Sequence, residues 1–228
     1  MEKIDNLHVL MITSEWPTPA HPEWAPFLVE QVKRLREAGI EVQVFPYRGS
    51  KKPVNYYMAR KQLHKEVNLD NYDLIHAQFA QSALLVLPSR LPLVVTYHGS
   101  DVLGIVGENG HYTATGRILQ FISRYVALVA TENIVVSQHM LRYLPKRTYN
   151  IIPMGVDLDL FRPIPSFEAI RLAGLSPNNR YILFGANPNV ALKRFELAHK
   201  AVELIKDSRI SLIPLQNIPH ERVPYYLN

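Results

Sequence analysis

The sequence predicts an α/β fold: a doubly wound parallel sheet, Rossmann-like, followed by a second and incomplete α/β lobe. Two observations predict the sheet. Short apolar runs recur along the chain, and stretches of helical period separate them. Strands alternating with helices form parallel sheets with helices on both faces. A third observation predicts the second lobe. At Pro153-Met154-Gly155 the alternation breaks, an irregular segment runs to Pro163 and Pro165, and the alternation then resumes.

Leu7 to Ile12 reads as a buried first strand. Pro26 to Ala38 carries Phe27, Leu28, Val32, Leu35 and Ala38 at helical spacing and ends at Gly39. Ile40 to Phe45 alternates as a strand does, and Asn55 to Val67 reads as a helix. Asp73 to His76 is a short strand with a helix after it, from Ala83 to Leu87. Pro92 to Tyr97 is the next buried strand. Arg117 to Ala130 has a wide apolar face and reads as a helix. Strands at Asn133 to Val136 and Tyr149 to Ile152, with a short helix between them, close the first lobe. Beyond the break, Arg180 to Phe184 and Ile210 to Ile213 read as strands, Lys193 to Ile205 as a helix, and His220 to Leu227 as the start of another. The domains expected are thus residues 1–152, a linker over 153–179, and residues 180–228. The last stretch is short for a lobe, since domains usually run to ~100–150 residues. It is expected to be part of a larger lobe, with an unfinished sheet that invites pairing with another chain.

Composition narrows the function classes. The chain has 228 residues, 47% hydrophobic and 20% charged, which is ordinary globular composition. It has no cysteine, so disulfides and thiolate chemistry are excluded and a reducing, cytoplasmic location is expected. The start, residues 1–6, is charged in both signs and does not read as a signal peptide. The net charge of +5 suits an anionic ligand or an anionic membrane surface. No nucleic-acid motif accompanies it, so no nucleic acid is expected. Lys51-Lys52-Pro53 to Lys65 mixes basic residues with Tyr56, Tyr57 and Met58. It reads as a solvated surface helix, or alternatively as a peripheral contact with an anionic membrane.

Four segments can carry chemistry. Tyr97-His98-Gly99-Ser100-Asp101 directly follows a buried strand, where open α/β sheets bind ligands. Gly99 lets backbone approach a ligand closely. His98 either meets a ligand or caps a turn. Asp101 holds the loop, touches the ligand, or caps the following turn. Glu15-Trp16-Pro17 to Phe27 lacks the Gly-x-Gly-x-x-Gly of dinucleotide sites, so NAD binding is not expected and no cofactor is called for. In that loop Trp16 and Trp24 either pack the loop or serve a ligand, and the helix start near Pro26 can attract phosphate. His76-Ala77-Gln78 ends a strand, and Gln78 either bonds an acceptor or packs. Gly185-Ala186-Asn187-Pro188 follows a second-lobe strand, with Lys193-Arg194 behind it. A basic pair in a helix's first turn opposes the helix dipole, which favours an anionic partner. Asp157-Leu158-Asp159 is a poor metal site, because it lies in the linker and such pairs are common by chance. Ser137 reads as a helix N-cap.

Asn150 to Pro163 resembles the interlobe crossover of family 4 glycosyltransferases, whose members usually read Ile-Pro-Asn-Gly-Val-Asp-x-x-x-Phe-x-Pro. Met154 stands where Asn is usual. His98 to Asp101 resembles that family's His-Gly-x-Asp loop, His76-Ala77-Gln78 its frequent His-x-His, and Val136 to Met140 its Val-Ser-x-x-Met. Lys193 matches a family lysine. The arginine usual before it is missing, with Ala186 or Asn187 in its place, and Trp24-Ala25 stand where glycine is common. The resemblance implies a two-lobed GT-B fold and a retaining, metal-independent transfer from a nucleotide-sugar donor to a glycan or lipid-linked acceptor. It implies that His98 and Asp101 lie beside the transferred sugar, and that Gly185, Asn187, Lys193 and Arg194 hold the donor diphosphate. Glu15, Trp16, Trp24 and Gln78 would line the acceptor or phosphate loops. Two family glutamates, separated by seven residues late in the second lobe, have no counterpart here, so the 228 residues are expected to be inactive alone. A non-catalytic binding lobe and a GT-B epimerase are the alternatives.

Overall fold

A computed structural model of the chain describes residues 7–19, 21, 24–50 and 52–228. The charged start over residues 1–6, and Lys51 of the basic stretch, lie outside the described residues. The chain divides into two compact units. One gathers Phe27–Ile105, Tyr112–Gly155 and the segment ending at Thr18. The other gathers Pro19–Pro26, Val106–His111 and Val156–Asn228.

The first unit is built on six parallel strands: β1 (His8–Thr13), β2 (Glu41–Pro46), β3 (Leu74–Gln78), β4 (Leu93–Tyr97), β5 (Glu132–Val135) and β6 (Asn150–Ile151). Their order across the sheet is β2-β1-β3-β4-β5-β6. Chain direction across the sheet therefore reverses between β1 and β3, which makes that gap the switch point where loops diverge. Side-chain alternation sends Leu10, Ile12, Ile75, Ala77, Val95 and Tyr97 into the larger core. Helix α2 (Pro53–Glu66) adds Ala59 and Leu63 to it, and α5 (Ala114–Val129) adds Val126 and Ala127. Val9, Met11 and Val42 face the other way, against Val32 of α1 (Pro26–Glu37). His76, Gln78 and Thr96 alternate with these core residues, so their side chains share one face of the sheet.

Two short helices, α3 (Ala80–Ala83) and α4 (Ser100–Leu103), follow β3 and β4 and pack on α5. The close approach sets the composition of α5. Its buried residues are the small Gly116, Ser123, Val126 and Ala127, while Phe121 is 73% exposed. A Cβ at Gly116 would collide with the backbone of Ile105, so only glycine fits. The α5 start is capped by Thr113, whose Oγ1 accepts the Gly116 amide at 3.0 Å. Helix α5 thus begins three residues before the Arg117 expected. The segment from Gly107 to Gly116 is a turn closed by Gly107 N to His111 O, followed by this cap. Ser137 caps a 3-10 stretch, as expected, accepting from His139 N at 3.4 Å. The basic stretch is the surface helix α2. Its Tyr57 and Met58 are exposed, Lys61 lies over the Tyr57 ring, and Arg60 donates to the carbonyls of Leu84 and Leu87.

The second unit holds α6 (Ser166–Ala173), the parallel pair β7 (Arg180–Phe184) and β8 (Ile210–Pro214), α7 (Phe195–Glu203) and α8 (Val223–Leu227). The stretch 153–179, expected as a linker, contains α6. Two prolines precede the helix, and Gly174 closes it in the left-handed conformation at φ 74°. Arg222 and Tyr226 donate to the carbonyls of Leu172 and Ala173, tying the C-terminal segment to α6. The helix expected from Lys193 begins instead at Phe195. Ala191–Lys193 form a 3-10 turn and Arg194 adopts a left-handed φ of 57°, so the two pieces are not one helix.

Candidate functional site

The carboxyl ends of β1, β3 and β4 carry a connected group of polar side chains. His98 follows β4 directly. Its Nε2 lies 2.7 Å from Oε1 of Gln78, the last residue of β3. Gln78 is fully buried, and its Nε2 donates to Gln31 Oε1 of α1 at 3.0 Å. His76 Nε2 lies 2.8 Å from Thr96 Oγ1 and 3.4 Å from Gln78 Nε2. The His98 ring is held between Phe79 and Phe27, with centroids at 4.5 Å and 5.3 Å. Phe79 takes a φ of 68°, uncommon for a bulky side chain. Burial pushes the His98 imidazole down to about 4, with His76 adding to the effect, and pushes His76 down to about 4 as well. Both rings are therefore neutral at neutral pH.

Asp101 is fully buried. Its Oδ1 accepts the amides of His98, Gly99 and Val102 at 3.0 to 3.2 Å, and its Oδ2 accepts the Ala80 amide at 3.1 Å. Burial pushes its carboxyl up against the opposing effect of those amides. Of the roles the sequence leaves open for Asp101, the geometry carries the one that holds the loop. It acts on His98 through the backbone, so it is a positioning residue. Gly99 permits the turn at φ 133°. Ser123 Oγ of α5 donates to the Asp101 carbonyl at 2.8 Å, fixing the loop from below.

The loop after β1 is pinned in the same unit. Thr13 Oγ1 donates to the Glu15 carbonyl and accepts its amide, and Arg48 donates to the Trp16 carbonyl at 2.8 Å. Glu15 is exposed as a residue, but protein packed around its carboxyl raises its pKa. The Arg48 guanidinium opposes that rise, and Asp101 adds to it. Trp24 belongs to the other unit, where its ring stacks on His21 at 4.2 Å. Ala25, beside it, takes a φ of 47°, a conformation that glycine adopts freely.

The second unit presents Gly185, Asn187, Lys193 and Arg194 on one exposed loop after β7. Asn187 Oδ1 accepts the Asn189 amide at 2.9 Å, and Lys193 N donates to the Val190 carbonyl at 2.8 Å. Asp157 Oδ1 accepts the amides of Asp159 and Leu160, so this carboxylate shapes a turn. Among the described residues no group of three His, Asp or Glu side chains could hold a metal ion, and no helix is long and apolar enough to cross a membrane. A cavity of about 850 Å³, lined by His8, Arg36, Gln43 and Tyr72, lies at the opposite, amino ends of the strands. Parallel sheets bind ligands at the carboxyl ends, so the His98 cluster is the better candidate.

The structure brings together His98, Asp101 and Gln78, which the sequence singles out. The sequence does not single out Gln31, Phe27, Phe79 and Arg48 as their neighbours, because each reaches the cluster from a different element. The period-two pattern of β3 and β4 was the available signal, since it puts His76, Gln78 and Thr96 on one face.

Residues 5–160 match the family model described as Glycosyltransferase Family 4. The chain belongs to Glycosyltransferase Family 4. No curated protein matches this family 4 chain. Among solved structures, sucrose-phosphate synthase from Thermosynechococcus elongatus aligns at a TM-score of 0.66 and 16% identity, over 96% of this chain and 73% of that one. HepE of Anabaena, solved with UDP and glucose, aligns at 0.55 and 16% identity, over 97% and 71%. A glycosyltransferase from Rickettsia africae aligns at 0.51 and 15%, over 93% and 69%. At these identities the likeness is one of fold. The six-stranded parallel unit is like the N-terminal Rossmann-like lobe of GT-B glycosyltransferases.

Proposed function

We propose that this family 4 chain moves a sugar from a nucleotide-sugar donor to an acceptor hydroxyl, with retention and without a metal. The observation that carries the reading is His98, a neutral imidazole clamped at the switch-point end of the sheet by Gln78, Asp101 and two aromatic rings. Such preorganisation suits a group that meets a reacting sugar. The Anabaena neighbour, solved with UDP and glucose, supports a nucleotide-sugar donor. In this reading Lys193 and Arg194 stabilise the departing diphosphate as its bond to the anomeric carbon breaks. Lysine supplies a point charge and arginine a two-pronged donor. The acceptor hydroxyl attacks from the same face, and its proton leaves with the diphosphate. The acceptor is a glycan or a lipid-linked sugar.

A second reading is a non-catalytic lobe that binds an acceptor or a partner chain. One feature favours it: the loop Gly185-Ala186-Asn187-Pro188 carries no arginine. Thermal shift against UDP-, GDP- and ADP-sugars, followed by an assay of donor turnover, separates the two. The transferase reading expects one nucleotide class to raise the melting temperature with or without EDTA, Lys193→Ala to lose that shift, and turnover to keep the anomeric configuration. No shift with any donor and no turnover would leave the binding lobe standing.

A further inference from the structure

We infer that Gln78 is a positioning residue that holds His98 in its Nε2–H tautomer and so presents Nδ1 as a hydrogen-bond acceptor for a sugar hydroxyl. The sugar partner rests on the transferase reading above; the tautomer does not. The Gln78 amide is fully buried and faces different chemistry at its two ends. Among the described residues its Oε1 meets only His98 Nε2, at 2.7 Å. A carbonyl oxygen accepts and never donates, so Nε2 must carry the proton. Its Nε2 faces Gln31 Oε1 at 3.0 Å, Met11 Sδ at 3.8 Å and His76 Nε2 at 3.4 Å. A thioether sulfur has no proton to give. Turning the amide over would set oxygen against that sulfur, two acceptors face to face. In the orientation present, the single lone pair of His76 Nε2 accepts from the Thr96 hydroxyl at 2.8 Å, and the Gln78 amide nitrogen lies farther off at 3.4 Å. Both ends of the Gln78 amide then meet a partner of the opposite kind, His98 Nε2–H at the oxygen and Gln31 Oε1 at the nitrogen.

The other nitrogen of His98 is left for a ligand. Nδ1 has no hydrogen bond to a described residue, and it is not among the buried side-chain atoms that lack a hydrogen bond. Phe79 and Phe27 fix the ring plane, so the lone pair has a set direction. Burial keeps the ring neutral at neutral pH. A lone pair on Nδ1 attracts a hydroxyl proton and repels a phosphate oxygen, which only accepts. His98 is thereby assigned to a sugar hydroxyl rather than to the leaving diphosphate.

The test is a long-range proton–nitrogen NMR correlation on the ¹⁵N-labelled 228-residue chain at neutral pH, with the His98 signals assigned by their loss in His98→Asn. The wild type is expected to show a protonated Nε2 and a bare Nδ1. Gln78→Met, close in shape but with no carbonyl, is expected to populate both tautomers, and Gln78→Glu to restore Nε2–H. A wild type with the proton on Nδ1 overturns the proposal, and that measurement needs no variant to fold. An unchanged tautomer in Gln78→Met overturns it as well. A second arm compares binding of UDP-, GDP- and ADP-sugars with binding of the free nucleotides. Gln78→Met is expected to weaken the preferred sugar nucleotide roughly tenfold, the scale of one good hydrogen bond, and to leave the free nucleotide unchanged. Tight donor binding that Gln78→Met does not alter overturns the sugar contact and spares the transferase reading. A wild type that has Nε2–H but binds no donor overturns the transferase reading and the sugar partner with it, leaving only the tautomer.

Discussion

Two neutral imidazoles, His98 and His76, sit where protonation is expensive. Burial pushes each down to about 4 from an ordinary value of 6.5. Their folded-state values lie below the unfolded ones, so the unfolded chain takes up protons first as pH falls. Their contribution to stability is full above about pH 6.5 and is lost as pH falls from there towards about 4. Urea midpoints at a series of pH values across that window should fall, and His76→Phe should make the fall shallower. An equal slope in wild type and variant would contradict it. The same residues show what a sequence can disclose. His98 and Asp101 were legible because three positions in one loop carry the pattern and the preceding strand is apolar. The Gln78 to Gln31 bond was not, because it joins residues 47 positions apart, and nothing local to either position signals the other.

At the scale of elements, helix α5 shows packing overriding propensity. Its buried side is made of small residues because α3 and α4 press against it. Alanine is normally better than glycine inside a helix by roughly 1 kcal/mol. Gly116→Ala should nevertheless destabilise the chain by about 1–3 kcal/mol, because the added methyl meets the Ile105 backbone. Urea denaturation reads the sign directly, and a raised midpoint would count against the close approach. Helix α7 shows the opposite limit of sequence reading. Its apolar spacing was visible, yet its start lay two residues beyond the one expected. The left-handed turn at Arg194 has no signature of its own in a residue type that rarely adopts it. The proline-rich stretch before α6 hid a helix in the same way, because Pro163 and Pro165 read as linker until the chain beyond them is seen to coil.

Across the whole molecule, the two units differ in how much they enclose. The first buries Leu10, Met11, Ile12, Ile75, Val95 and Tyr97 at no more than 0% exposure each, whereas Ile182 in β7 is 41% exposed and no residue of α7 is buried. Amides in β7 and β8 should therefore exchange with deuterium at least roughly tenfold faster than those in β1, β3 and β4. Hydrogen exchange by mass spectrometry checks this, and equal protection would mean that the units open together. The six strands of the first unit all run the same way, so the loops at their carboxyl ends gather on one rim. Under the transferase reading, insertions on that rim would leave the apolar contacts of the sheet beneath untouched, so a redesign of substrate preference should start there.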